Sequence, residues 1–244
     1  MKCKFCGKET KLIKAHIIPE GFFRRLKHQD NAVLEMLTNK EGEFPKRRPK
    51  GEYDKNLVCN DCEKIWQGWD DYAQQLLIDN ASNLHLRHID GKLIRYQFIE
   101  NYDYTKLKLF FLSVLWRASA SDQVFYSRII LGKLEENIKK RIKEVSPGTR
   151  EDFSVVLSYF SHPLAKVISD PYMYKNDGVD YTRFYFANYI ADIKVDLKET
   201  PLPLSKLSLA ENIPLCIVCR NFENSKEFSI NKNIVRHTER RKKH

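Results

Sequence analysis

Asn56-Leu57-Val58-Cys59-Asn60-Asp61-Cys62-Glu63 contains the second of two cysteine pairs with the same spacing; the first is Cys3-Lys4-Phe5-Cys6-Gly7. A pair followed by glycine reads as a metal-binding knuckle. A pair that opens a helical pattern suits the other half of a four-cysteine zinc site. Four thiolates in tetrahedral geometry hold Zn2+ and fold a segment too polar to collapse alone. A redox pair or chance spacing is the plainer alternative. The third pair, Cys216 and Cys219, sits in Ile213-Pro214-Leu215-Cys216-Ile217-Val218-Cys219. That apolar run reads as a buried strand, in which free cysteine is a small core residue, so it is left outside the zinc site.

Working outward from Cys62, the residues Trp66, Trp69, Tyr72, Ala73, Leu76 and Leu77 recur at helical spacing among polar neighbours. This predicts an amphipathic helix packed on something substantial. Upstream, Leu12-Ile13-Lys14-Ala15-His16-Ile17-Ile18-Pro19 predicts a short strand, and residues 20–26 a helical turn. Residues 27–54 form a polar connection with the basic patch Lys46-Arg47-Arg48-Pro49-Lys50. Residues 84–100 suit a hairpin turning at Asp90-Gly91. Leu107, Phe110, Phe111, Val114, Leu115 and Ala118 mark a helix with a broad apolar face. Ser121-Asp122 offers a cap for another, running toward Glu144 and stopped at Ser146-Pro147-Gly148. Beyond it, residues 153–160, 173–174, 182–193 and 215–218 are rich in β-branched and aromatic residues, with a turn at Asn176-Asp177-Gly178. The fold class expected is α+β: a treble-clef-like zinc module, central helices and a mainly antiparallel C-terminal sheet. The expected divisions are a zinc module over residues 1–80, a helical and β-rich accessory region over 81–231, and a basic flexible tail over 232–244. No clean linker is expected at residue 80, because the Trp66 helix needs a neighbour.

The chain has 244 residues, with 42 Lys+Arg against 32 Asp+Glu and a formal charge of +10. Such a composition excludes a collagen-like repeat, a mostly disordered chain and a disulfide-stapled peptide. The positive balance favours polyanionic partners. No signal-peptide pattern and no apolar run of about 20 residues is present, so a cytoplasmic protein without membrane contact is the simplest expectation.

Taken in order, Cys3, Cys6, His16, Asn56, Cys59 and Cys62 resemble the zinc-containing branch of the HNH nuclease superfamily, over residues 1–75 only. In that family a β-hairpin and a helix surround a catalytic metal, and cysteine pairs tie down the ββα fold. Ala15-His16-Ile17-Ile18-Pro19 looks like the catalytic strand, and Asn56-Leu57-Val58-Cys59 like the asparagine-bearing return. The resemblance implies that His16 is the general base toward the attacking water, a role that suits imidazole near neutral pH. It implies that Asn56 orients His16, and that a Mg2+ or Mn2+ ion, distinct from the structural Zn2+, polarises the phosphate. Ala15 stands where many members have a metal-binding carboxylate, and Glu63 where a final histidine is common. Glu63 is the expected ligand to a hard ion, with Asp70 two helical turns later as a second candidate and Asp61 as a third. Taken alone, His16 also reads as a buried histidine, Asp70 and Asp61 as a cap or solvated charge, and the tryptophans as core rather than base-stacking residues.

Lys11, Lys14, Arg24 and Arg25, with Arg47, Arg48 and Lys50, are expected to bind phosphates without reading sequence. Residues 232–244 hold six Lys/Arg and one acid, a net +5; they read either as a tail that reaches nucleic acid or as a flexible solubilising end. The leading expectation is therefore a metal-dependent endonuclease acting on DNA, with RNA possible, and a role in defence against phage or other foreign DNA. A non-catalytic zinc protein that binds nucleic acid or another macromolecule is the alternative, and a toxin-like RNase a third. The C-terminal sheet would select substrate, bind a regulatory protein or form a homo-oligomer.

Overall fold

The computed structural model describes residues 1–24, 51–79, 84–89, 91–161 and 169–229, and the backbone of 35–36 and 46–47. In chain order these form β1 (Ala15–His16), α1 (Glu20–Arg24), β2 (Glu35–Met36), β3 (Lys46–Arg47), β4 (Tyr53–Asp54) and α2 (Asn60–Gln74). A π-helical turn extends α2 over Gln75–Asp79. Next come β5 (Leu84–Ile89), β6 (Lys92–Ile99), α3 (Tyr104–Ala120), a 3-10 turn (Val124–Tyr126) and α4 (Leu134–Lys143). The remainder is β7 (Val155–Phe160), β8 (Tyr172–Asn176), β9 (Val179–Phe186), β10 (Tyr189–Lys194), α5 (Leu204–Leu207) and β11 (Leu215–Arg220).

This is an α+β fold: a four-cysteine N-terminal region, central helices and one large mixed sheet. Seven strands lie in the order β5-β6-β11-β7-β10-β9-β8. All neighbours are antiparallel except β11 and β7. β11 forms last in sequence yet sits centrally, joining the 84–99 hairpin to the C-terminal strands. Cys216 and Cys219 lie on it three residues apart, an odd spacing that sends the side chains to opposite faces of a strand. Two small pairs stand outside this sheet, β1 with β4 and β2 with β3.

α3 is the axis of the molecule. Residues 107–118 are buried on every side, so this helix is enclosed rather than merely amphipathic. On one flank Phe110 and Phe111 pack on Phe186 of β9, and Phe22 of α1 inserts at 5.7 Å from Phe110 and 5.3 Å from Phe186. On another, Trp116 meets Phe5 and Trp66 of the cysteine region at 4.9 and 6.1 Å. One large hydrophobic cluster therefore runs from Cys3 to Ile217, with a smaller one of Phe160, Tyr185, Ile190 and Phe222 apart from it. The boundary expected at residue 80 lies outside the described residues, as does the tail at 232–244.

Three expectations change. The strand expected over 12–19 shrinks to Ala15–His16, with Leu12 making one bridge to Cys59. Pro19, which has no N–H to offer a ladder, precedes α1 directly. The helix expected from Ser121-Asp122 begins only at Leu134. Ser121 and the Asp122 amide are bonded to Asp54 instead, and Gly132, at φ +55°, bends the chain just before α4. The run 182–193 is two strands turning at Ala187-Asn188, where Ala187 holds φ +57°. No glycine marks that turn, which hid it.

Candidate metal centre and the strand beside it

Four sulfurs converge. The Sγ atoms of Cys3, Cys6, Cys59 and Cys62 all lie within 4.8 Å of one another. Cys3 approaches Cys62 at 3.7 Å and Cys6 approaches Cys59 at 3.9 Å. A tetrahedral ion with Zn–S bonds of about 2.3 Å needs sulfurs about 3.8 Å apart. The donor set fits Zn2+ in both chemistry and spacing, and four donors close the coordination shell of a structural site.

Local backbone builds this geometry. Gly7, at φ +78°, lets its N–H turn back onto the Cys3 carbonyl at 2.8 Å. Few side-chain-bearing residues take that conformation. Cys59 precedes α2, so Cys59 and Cys62 fall on the first turn, where the helix dipole favours thiolate. The Cys59 N–H also donates to Cys3 Sγ at 3.4 Å. Burial raises the Cys3 thiol, but backbone hydrogen bonds from Cys6 and Cys59 outweigh it and bring the group down to about 7. Burial, and then the adjoining cysteines, push Cys62 well up. Four sulfurs this close repel as thiolates until a cation joins them.

The chain leading into β1 is tied to the second cysteine pair, Leu12 bridging Cys59 and the Ile13 N–H donating to the Val58 carbonyl at 3.0 Å. Ala15 pairs with Asp54 and His16 with Tyr53, and the His16 and Tyr53 rings meet edge-on at 6.0 Å. His16 is half-buried. Its carbonyl accepts a 3.0 Å hydrogen bond from Arg117 Nη1 on α3. The same guanidinium grips Asp70 of α2 at 2.9 and 2.7 Å, lies 5.3 Å from the Trp66 ring and is wholly buried. Asp54 is equally enclosed, accepting from the Asn56 N–H at 2.7 Å, Ser121 Oγ at 2.8 Å and the Asp122 N–H at 3.0 Å.

Most of the residues singled out in the sequence have a definite place. Cys3, Cys6, Cys59 and Cys62 come together. Glu63 follows on α2 and accepts from Trp66 Nε1 at 3.2 Å. Burial pushes its carboxyl up, Arg117 opposes that, and Asp70 adds to it. Asp70 has both oxygens on Arg117; burial raises its carboxyl, and the guanidinium opposes the rise. Asn56 is exposed, and it is Arg117 rather than Asn56 that meets the His16 carbonyl. Asp61 is exposed; Trp66 and Trp69 are buried. Lys11, Lys14 and Arg24 are exposed, Arg24 being paired with Glu20 at 3.2 Å and Lys14 lying 5.5 Å from the Tyr53 ring. Arg25, Arg48 and Lys50 lie outside the described residues, and Arg47 is described only as backbone of β3.

Sequence reasoning missed Arg117, Asp54 and the role of Ser121-Asp122. Arg117 did leave a signal: it is the single charge in the stretch from Leu109 to Ala118, and a buried guanidinium requires an acid. Among the described residues, no group of three or more His, Cys, Asp or Glu besides the four cysteines is placed to hold a metal. No helix among them is long and apolar enough to cross a membrane. Neither a family model, nor a curated protein, nor a solved structure matches the chain.

Proposed function

We propose that this protein is a metal-dependent endonuclease of the HNH type that hydrolyses phosphodiester bonds in DNA, built on a structural Zn2+ centre. The observation that carries the reading is the setting of His16. It lies on a short strand paired to β4, next to a helix whose first turn supplies two cysteines of the metal centre. This β–β–α order around a four-cysteine centre is the arrangement that the HNH resemblance implies. His16 takes the proton from the attacking water, and Arg117 holds the strand through its carbonyl so that the imidazole keeps one orientation. Lys11 and Lys14, exposed on either side of Leu12-Ile13, bear the phosphates of the substrate backbone.

A divalent ion, Mg2+ or Mn2+, supplies charge neutralisation at the phosphate when bound. Glu63 is the carboxylate in this chain placed to serve it by sequence position. The engagement of Asp70 with Arg117 and the side chain of Ala15 favour a second reading. In it the module binds nucleic acid, or another macromolecular partner, without cutting it. Defence against phage DNA is the role that a nuclease of this class suits.

Cleavage of supercoiled DNA and of single-stranded RNA by zinc-loaded protein separates these readings. Wild type, His16→Ala and Glu63→Ala are compared with Mg2+ or Mn2+ added, after zinc content and fold are verified for each. Metal-dependent DNA cuts that vanish in His16→Ala support the nuclease. Equal cutting by wild type and His16→Ala overturns the mechanism. Tight binding without cuts supports the second reading, and cuts confined to RNA point to a ribonuclease.

A further inference from the structure

The β5–β6 hairpin is longer than the sheet that supports it. β6 pairs with β11 only from Tyr96 to Ile99, whereas β5 pairs with β6 down to Ile89 and Lys92. Among the described residues, no strand but β5 pairs with β6 beyond Tyr96, and none pairs with the outer edge of β5. Four residues of β6 extend past this ladder; β11 itself runs on to Arg220, two residues beyond its last partner in β6, so at about 3.4 Å per residue the two-stranded arm outreaches it by about 7 Å. Such a ribbon is marginal in water by itself, yet every described residue from Leu84 to His88 is exposed.

The cross-strand register distributes the arm's side chains between two faces. Leu86 lies opposite Arg95 and His88 opposite Leu93 on one face; His85 lies opposite Tyr96 and Arg87 opposite Ile94 on the other. Each face therefore presents one arginine and one histidine, all four exposed. The sequence of this stretch also has Lys92, and Asp90 is its single acid between residues 84 and 99. Leu84, Leu86 and Leu93 are 45%, 59% and 49% exposed.

We infer that this arm is a DNA-contacting ribbon that enters the major groove of a B-form duplex. The inference rests on the nucleic-acid reading above and names the form of substrate that it takes. A groove about 12 Å wide and 8.5 Å deep admits a two-stranded ribbon of this reach. Both walls of the groove are phosphate backbones, which matches a ribbon cationic on both faces rather than one. The exposed leucines have a partner there too, since thymine methyl groups line the groove floor. The major groove of A-form RNA is too narrow and deep for the same entry. The arm is thus a device for selecting duplex DNA over duplex RNA.

The test is fluorescence anisotropy of the full zinc-loaded chain with a labelled 24-base-pair DNA duplex and its RNA counterpart, across a salt series. Wild type is compared with Arg87→Gln/Arg95→Gln and with Lys11→Ala/Lys14→Ala. The arm variant is expected to bind DNA at least about tenfold more weakly, with a log–log salt slope shallower by about two. RNA duplex binding, weaker in wild type, is expected to change little. Unchanged DNA affinity and slope in the arm variant, with loss confined to Lys11→Ala/Lys14→Ala, overturn the inference and leave the nucleic-acid reading intact. Equal losses for DNA and RNA overturn the groove assignment. A wild-type chain that binds neither duplex overturns both. A wild-type dimer dissociated by Leu84→Ser/Leu86→Ser/Leu93→Ser, with DNA binding intact, makes the arm a contact between copies and overturns the inference as well.

Discussion

Arg117 and His16 are 101 residues apart in the chain and joined by one 3.0 Å hydrogen bond from guanidinium to carbonyl. The bond uses a backbone acceptor, so it holds the strand itself rather than the imidazole. It also ties the cysteine region to α3, as does Lys4 to the Ala120 carbonyl at 2.8 Å, while Lys4 to Asp122 at 2.7 Å and Ser121 to Asp54 at 2.8 Å tie it to the turn that follows the helix. The region beside the metal centre is in this way completed by a helix that follows it in sequence.

Arg117→Met leaves the Asp70 carboxylate buried without its cation. Removing one partner of such a pair costs about 3–5 kcal/mol, whereas replacing both by apolar groups recovers much of the loss. Urea unfolding of zinc-loaded Arg117→Met, Asp70→Leu and the double variant is expected to give a coupling energy above about 1 kcal/mol. Additive single effects would refute the pair as a unit. Arg117→Lys preserves charge but loses the fork, so it is expected to shift the His16 imidazole resonances in an NMR titration with zinc still bound. If the substrate reading holds, it lowers kcat more than it raises KM.

How much of this could be read from residues alone follows from the range of the forces involved. The cysteine pairs were legible because metal ligation depends on local spacing, and the Trp66 helix because burial repeats with the turn. The 84–99 hairpin, α3 and most strands carried their own periodicity. The Asp70–Arg117 contact was not legible. A carboxylate seven residues after Glu63 has the same local signature whether it faces a metal, solvent or an arginine on another helix. The late start of α4 was hidden for a similar reason: Ser121 is a good cap in isolation, but Asp54 takes its hydroxyl. The central place of β11 is likewise a consequence of long-range pairing, to which local pattern is blind.

Removing zinc is expected to unravel β1 and β4, since strands of two residues have little pairing of their own. The protein is expected to hold one Zn2+ per chain through the four cysteines. Cys59→Ser should lower Tm by about 10–20 °C, the equivalent of about 5 kcal/mol in a chain of this size. Chelation should do the same to wild type, with the cysteines then open to thiol reagents. A chain whose Tm is unmoved by chelation would have no structural ion there.

A second buried ionic group fixes the end of the described chain. Glu227 accepts from Arg183 at 3.0 Å and from the Tyr185 hydroxyl at 3.1 Å, and Arg183 grips Asp192 at 2.7 and 2.9 Å. Burial raises the Glu227 carboxyl, but Arg220 and Arg183 outweigh it and hold the group below its usual range. A lowered folded pKa gives stability that is present above the unfolded value and lost as pH falls through the folded one. Glu227→Gln is expected to flatten the acid limb of the stability curve below about pH 4.5. Glu227→Ala should cost about 3 kcal/mol near neutrality and speed proteolysis after residue 220. An acid limb identical to wild type in Glu227→Gln would remove this carboxylate from the account.

Lys108 lies on α3 with its ammonium nitrogen buried and without a hydrogen bond, 5.9 Å from the Tyr104 ring. Burial lowers its pKa to about 7, and the Asp152 carboxylate opposes that only in part. The unfolded chain keeps this proton up to about pH 10.4. Between the two values the unfolded state binds more protons than the folded one, so this group makes stability rise with pH across that window. Below about pH 7 its contribution levels off at its least favourable, with the charged amine buried. Lys108→Met fills similar space without a charge. It is expected to raise stability on the order of 2 kcal/mol at pH 7 and to abolish that part of the pH slope. Urea unfolding of both proteins at pH 6, 8 and 9.5, with zinc held saturating, measures the difference directly. Parallel curves for the two proteins would mean that the Lys108 amine stays charged in the fold and has found a partner.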